Sequence, residues 1–247
     1  MESTDAKLPS GRILFCDESL AVVYKNRGEV CESEAADKSL SLISNIRPEL
    51  ESVLGRKIDF IEAVHRIDQP VTGCVLIALS KDALAALSAQ FAAGKIRKKY
   101  LAIVERNSSE SKMLQVGDSG RLEHMIRFDH KHHKALAALR GDIRVPGPEW
   151  KSAALQWRLA GMGDRYLFLE VVPETGRTHQ IRSQLAASGM TIKGDLKYGA
   201  RRSDPLGGIR LHAFSIQFTH PVSGDVLTVT APVQDPDNLW NAFGTFV

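Results

Sequence analysis

The 247-residue chain predicts an α+β protein in which helices pack on a mixed, largely antiparallel β-sheet. Short apolar runs of strand length outnumber stretches with helical spacing, and several runs are joined by short polar turns as in hairpins. No internal repeat or low-complexity segment points to a solenoid or an unfolded chain. Lys and Arg number 32 against 29 Asp and Glu, a net charge of +3 that hints at an anionic partner and leaves local clustering to carry the case. The three cysteines, Cys16, Cys31 and Cys74, lack metal-ligand spacing, so free thiols in a reducing compartment are expected. The first residues carry no apolar signal core, and no run approaches a membrane span, so a cytoplasmic protein without membrane contact is expected.

After a flexible tail over residues 1–12, Ile13-Leu14-Phe15 and Leu20 to Tyr24 form a strand–turn–strand unit around Cys16 to Ser19. Leu40, Leu42-Ile43, Ile46, Leu50 and Val53-Leu54 fall at roughly helical spacing within 39–54, where Pro48 predicts one helix with a break, or two short helices, before Gly55. Residues 65–74, His65-Arg66-Ile67-Asp68-Gln69-Pro70-Val71-Thr72-Gly73-Cys74, lead into the apolar run Val75 to Leu79. An acid at such a loop-to-strand junction is held by the sheet yet open to solvent. A lone Asp beside an Arg reads first as a surface ion pair, and only a second element could raise it above that.

Ser80 can cap a helix through Phe91 that stops at Gly94. The basic stretch Lys95-Ile96-Arg97-Lys98-Lys99 then approaches a strand from Tyr100 to Val104. Residues 107–120 and 140–150 read as loops. Between them His124, His130, His132 and His133 lack the spacing of a closed zinc site and sit beside Lys131 and Lys134, which predicts a basic strip and no metal. Tyr166 to Val172 is a strand, and Pro173 to Gly176 turns the chain into a helix over 177–188 ended by Gly189.

On that helix Ile181 and Leu185 face the core, His179 and Arg182 share another face, and Arg177 lies at the start. Arginine at the positive end of a helix is unfavourable unless an anion stands opposite. Asp68 or an RNA phosphate would answer that demand, and a guanidinium fork would keep a carboxylate oriented and ionised. This is the second element that lifts Asp68. A glycine-punctuated loop, Ile192 to Gly199, precedes Arg201-Arg202, and Leu211 to Phe218 pairs with Val226 to Thr230 in a closing hairpin.

His65-Arg66-Ile67-Asp68 resembles the His-Arg-Leu-Asp signature of the RluA-type pseudouridine synthases. Lys99-Tyr100-Leu101-Ala102, Thr175 to Arg182, Gly194-Asp195 with Tyr198-Gly199, and Leu211-His212-Ala213 with His220-Pro221 follow in that family's order. The likeness runs from about Ile13 to Pro232, with departures at Val71-Thr72-Gly73 and at Lys25-Asn26-Arg27-Gly28. It implies the pseudouridine synthase fold with a central catalytic cleft and one catalytic domain over 13–247; members often carry a small RNA-binding domain ahead of it, and the roughly dozen residues before Ile13 leave no room for one, so no separate N-terminal RNA-binding domain is expected.

The reaction implied is isomerisation of uridine to pseudouridine in ribosomal or transfer RNA. Asp68 would be the catalytic carboxylate, as nucleophile or as the base that starts elimination to a glycal. Arg182 would keep it ionised, and Tyr100 would stack on the detached uracil and assist loss of the proton on its carbon five. Arg66 would brace the place the flipped base leaves, and Arg177 would contact phosphate. His65, His179, Lys95, Arg97, Lys98, Arg201 and Arg202 complete the implied RNA-binding set. No metal, cofactor or obligate protein partner is implied. The alternatives are a nucleosidase or glycosidase, which would call for a second carboxylate, and an RNA-binding protein without catalysis.

Overall fold

A computed structural model describes residues 11–32, 41–106, 108–139, 141–142, 147–234 and 236–246. In chain order the elements are β1 (Ile13–Cys16), β2 (Leu20–Lys25), α1 (Leu42–Leu54), β3 (Glu62–Ala63), β4 (Thr72–Ala78), α2 (Lys81–Ala92), β5 (Arg97–Glu105) and α3 (Ser109–Met113). There follow β6 (Ser119–Asp129), β7 (Lys134–Ala138), β8 (Lys151–Met162), β9 (Tyr166–Pro173), α4 (Gln180–Ala187), a 3-10 turn (Leu196–Tyr198), β10 (Leu211–Thr219), β11 (Val226–Thr230) and α5 (Asn238–Gly244). The chain divides into two compact units: residues up to Ile96 with Ser215–Pro232, and Arg97–Phe214 with the residues from Val233 on.

In the first unit β2 pairs antiparallel with β1 on one side and with β4 on the other, from Leu20↔Ala78 to Lys25↔Gly73. The last residues of β10 pair with β11, Ser215↔Thr230 to Thr219↔Val226, the hairpin the sequence predicts. Every residue of β2 is buried, which explains the apolar run from Leu20 to Tyr24 that precedes Lys25. Leu20, Val22, Tyr24, Leu76, Leu87, Ile216 and Phe218 form one core cluster, and Cys74 lies within it.

The Ser80 hydroxyl accepts the Ala83 amide as the cap of α2, as its position predicts. By contrast α1 runs unbroken through Pro48. A helix-interior proline costs about 3 kcal/mol. Leu42, Ile46 and Leu50 are fully buried on one face, and at roughly 1.5–3 kcal/mol per apolar side chain they outweigh it. The Ser41 cap and a left-handed Gly55 close the two ends. Residues 39 and 40 of the expected helix lie outside the described residues.

The second unit orders its strands β5-β9-β8-β6-β7, all pairs antiparallel, with Tyr100↔Val171, Leu155↔Pro173, Leu122↔Leu155 and Met125↔Ala138 in register. On one face Glu170 binds Lys99 at 3.0 Å and Arg158 at 2.6 Å, a charged ladder across β5, β9 and β8. Phe243 of α5 packs edge-on against Phe168, 5.4 Å between ring centres.

The loop expected over 107–120 contains α3 and the start of β6. Ser108 and Ser111 cap each other reciprocally, a short-range signal that substitutes Ser for the usual Glu or Gln. The long strands β6 and β8 also exceed the reading of the sequence, because polar residues alternate through β6 and leave no apolar run. Of the loop expected over 140–150, residues 140 and 143–146 lie outside the described residues. Among the described residues no helix is long and apolar enough to cross a membrane.

Candidate active site

Asp68 stands half-buried on the turn before β4, in the first unit. Its carbonyl accepts the Val71 amide at 3.0 Å and closes the turn. Three ties fix that turn from beneath. Gln69 exchanges two hydrogen bonds with Gly28, its carbonyl accepting the Gly28 amide at 2.9 Å and its side chain donating to the Gly28 carbonyl at 3.0 Å.

The wholly buried ammonium of Lys25 donates to the carbonyls of Asn26 (2.9 Å), Glu29 (2.8 Å) and Gln69 (3.1 Å). The buried Cys31 thiol, finally, lies 3.5 Å from the Ile67 amide and 3.7 Å from the Ile67 carbonyl. Burial lowers the Lys25 pKa to about 8, while the nearby acids, Asp68 among them, act to raise it. Positive charge is therefore held close under the carboxylate by three backbone carbonyls.

Of the flanking residues, Arg66 is exposed and His65 is half-buried. His65 Nε2 accepts the Leu76 amide at 3.1 Å and its ring tilts against Phe91 at 5.2 Å, so this nitrogen serves the fold. Lys95, also in the first unit, is exposed.

Tyr100 lies near the start of β5 in the second unit and is buried. Lys98 is two residues away and so shares its face, opposite to the Lys99 ladder. Burial lowers the Lys98 pKa, and its ammonium stands 3.8 Å from where a Cβ on Gly176 would be, so the turn before α4 lies against this face. Arg97 and Arg177 are exposed, and Arg177 donates from Nε to the Ser152 carbonyl at 3.1 Å.

The helix begins at Gln180, three residues later than the sequence predicts, because His179 takes a left-handed conformation with φ 52°. Gln180 Oε1 instead accepts the Thr175 hydroxyl at 2.7 Å and the Arg177 amide at 2.9 Å, holding residues 175–179 as a turn.

Arg182 then lies in the first turn of α4, only 5 % exposed. Asp195, 2 % exposed, accepts from its Nε at 2.7 Å and from its Nη2 at 2.9 Å, a bidentate pair that fixes the guanidinium plane. Tyr198 lies under that plane at 5.0 Å, with the Lys134 ammonium also 5.0 Å from its ring. The Tyr198 hydroxyl accepts the Ala135 amide at 2.7 Å and meets His179 Nδ1 at 3.0 Å, which ties β7, the 3-10 turn and the start of α4 together.

Asp195 and Tyr198 are thus the site residues to which sequence reasoning gave no role, although both stand in quoted motif segments. Gly194 shows why the motif begins with glycine: φ is 86°, and a Cβ there would come within 2.9 Å of Asp204 and 3.0 Å of the Gly208 carbonyl. Exposed Arg201 and Arg202 follow this loop. The strip of His130, Lys131, His132 and His133 falls at the β6–β7 turn, where Asp129 binds the His132 ring at 2.8 Å.

The first unit thus offers a carboxylate on a braced turn, and the second offers a buried phenol beside a desolvated lysine and a rigidly held guanidinium, groups of the kinds used in acid–base or nucleophilic work. Comparison with known proteins narrows this to one class. Two human proteins, RNA Pseudouridylate Synthase Domain Containing 1 and 4, share the fold with TM-scores of 0.68 and 0.67 at 21 % and 20 % identity. The alignments cover 99 % of this chain and 98 % of the first, and 94 % of this chain and 91 % of the second.

The RNA pseudouridylate synthase family matches residues 19–187, and the chain belongs to it. Ribosomal large subunit pseudouridine synthase C of Escherichia coli O157:H7 is 30 % identical over 234 residues, 90 % of this chain and 66 % of the relative. The tRNA pseudouridine synthase C of Yersinia pestis is 28 % identical, over 94 % of this chain and 90 % of its own length. Against the relatives from Vibrio vulnificus and Pectobacterium carotovorum the chain spans 65 % and 58 % of their length.

Proposed function

We propose that the protein isomerises specific uridines of ribosomal or transfer RNA to pseudouridine, with Asp68 as the catalytic carboxylate. The observation that carries this reading is the Asp68 turn, presented half-open and held by Lys25, Cys31 and Gln69 in a chain of this family. The bond from uracil N1 to ribose C1′ breaks, a bond from C5 to C1′ forms, C5 gives up a proton and N1 gains one. No redox change or external reactant is needed.

Asp68 acts on the ribose, either attacking C1′ or removing the C2′ proton, and both routes need the ionised form. The family position of Arg182 assigns it the role of keeping that charge, with Asp195 and Tyr198 holding it. Tyr100 stacks on the detached base and assists removal of the C5 proton. Arg66 braces the position vacated by the flipped nucleotide, and Arg177, Arg97, Lys98, Lys95, Arg201 and Arg202 meet the backbone. His65 and His179 contribute to the RNA surface through their ring faces. Residues 13–247 work as one catalytic domain, in the cytoplasm, on RNA alone.

The test is pseudouridine mapping by carbodiimide adduct and primer extension on ribosomal and transfer RNA treated with wild type or Asp68→Ala. New stops with wild type and none with the variant are expected, and their position names the uridine. Release of free uracil would replace this reading with a nucleosidase, and salt-sensitive RNA binding with no stops on any RNA would replace it with a binding protein.

A further inference from the structure

We propose that the second unit carries a separate pocket for an RNA phosphodiester, at the end of β5 opposite Tyr100. This rests on the RNA-modifying reading above, gathers the backbone contacts of Arg201 and Arg202 into one pocket with Arg106 and Arg165, and sets that pocket several nucleotides from the target. Three segments converge there: the exit of β5 with Arg106, the β8–β9 turn with Arg165, and the loop carrying Lys193, Arg201 and Arg202. They line a cavity of about 320 Å³.

Its charge is not balanced from within. Lys193 is matched by the buried Asp204 at 2.5 Å, which leaves four arginines facing two acids, Glu105 and Asp164, an excess of two positive charges. Arg106 Nε is buried and has no hydrogen-bond partner among the described residues. A buried donor of this kind is costly unless a ligand or water completes it. Arg106 donates its amide to the Arg165 carbonyl at 2.9 Å, so the two arginines are set side by side.

The pocket is also prearranged. Glu105 accepts the Arg201 amide at 3.1 Å. Asp204 accepts from Arg210 Nε at 2.6 Å, and Arg210 in turn binds Asp237 at 2.9 and 2.5 Å, so the loop behind Arg201 and Arg202 is anchored by buried ion pairs. Guanidinium forks suit phosphate oxygens, and the one aromatic side chain among the lining residues, Tyr166, has the Lys193 ammonium 6.0 Å from its ring centre.

The pocket is remote from the base-handling end of β5. Tyr100 and Glu105 are five residues apart on one strand, about 17 Å at ~3.4 Å per residue. The bound phosphate therefore belongs to a residue some steps along the strand from the nucleotide at Tyr100, and not to the target nucleotide itself. The prediction that follows is a length requirement on the substrate.

The experiment measures binding of the mapped substrate RNA across a potassium chloride series, for wild type, Arg165→Ala/Arg202→Ala and Arg165→Lys/Arg202→Lys. A several-fold loss of affinity with the alanine pair is expected, with the slope of log K against log salt shallower by about one unit. The lysine pair should keep the slope, and RNA trimmed to the few nucleotides around the target should bind wild type and the alanine pair alike.

Equal affinities and slopes on the full RNA would overturn the pocket while wild type still forms pseudouridine. An unchanged RNA slope, with inorganic phosphate binding lost in the alanine pair, would also overturn it and assign the pocket to a free anion. Absence of product from wild type is a different result, and it removes the functional reading itself.

Discussion

The turn that carries Asp68 and the helix start that carries Arg182 hold charged groups of opposite sign by opposite means. Under Asp68 the braces grip the backbone: Lys25 binds three carbonyls and Cys31 meets both polar groups of Ile67. At Arg182 the brace grips the side chain itself, through two bonds from Asp195 and the ring of Tyr198. The first position is therefore fixed as a piece of backbone and the second as a head group, so substitutions should affect the two in different ways.

The largest expected effect falls on activity alone. Asp68→Asn should reduce pseudouridine formation on the order of a thousandfold or more, with a melting temperature close to wild type. A large fall in stability would show that the side chain, and not the turn, is the structural element. Asp195→Asn should do the reverse first. It strips a buried guanidinium of its counter-charge, a loss of about 3–5 kcal/mol in urea unfolding. A loss below about 1 kcal/mol would break the comparison, since Arg182 would then be held by something else.

Lys25→Met should cost about 1–3 kcal/mol by leaving carbonyls of the Asp68 turn without a donor, and should lower turnover through misplacement of the carboxylate. Its pH dependence sharpens the case. The Lys25 pKa is depressed from 10.5 to about 8 in the folded protein, so the unfolded chain binds more protons between those values. The stability of wild type relative to Lys25→Met should therefore rise with pH across this window, by at most about 1.4 kcal/mol per unit, and fall as pH drops through 8. A flat difference would mean that the ammonium is not desolvated. The smallest effect, about 1 kcal/mol, is expected for Ser80→Ala, a helix cap away from both braces that serves as the baseline.

The Asp68 turn was legible because its neighbourhood is local: bend, apolar run and flanking basic residues lie within ten positions. The cap at Ser80 and the hairpin after Leu211 were legible for the same reason. What held Arg182 was not. Asp195 is thirteen residues along the chain, and its bond exists only once α4 and the 3-10 turn are packed.

The late start of α4 was hidden because a glutamine side chain takes the place of a turn of backbone bonds, and His179 adopts a conformation uncommon for residues other than glycine. Pro48 misled in the other direction, since propensity lost to three buried side chains. The strand β6 stayed hidden because polar residues alternate through it, and β8 because exposed polar residues divide its buried positions into two short runs.

The buried thiol under the Asp68 turn has a consequence for protein chemistry. Burial raises the pKa of Cys31, while Cys16 is pushed up to about 11 and Cys74 to about 12, again by burial first. Peroxide and alkylating reagents attack thiolate, and at neutral pH a group of pKa about 11 is ionised in roughly one molecule in ten thousand. The posture of the Asp68 turn is thereby insulated from oxidants, and a cysteine introduced on the surface would be the one that a thiol reagent finds.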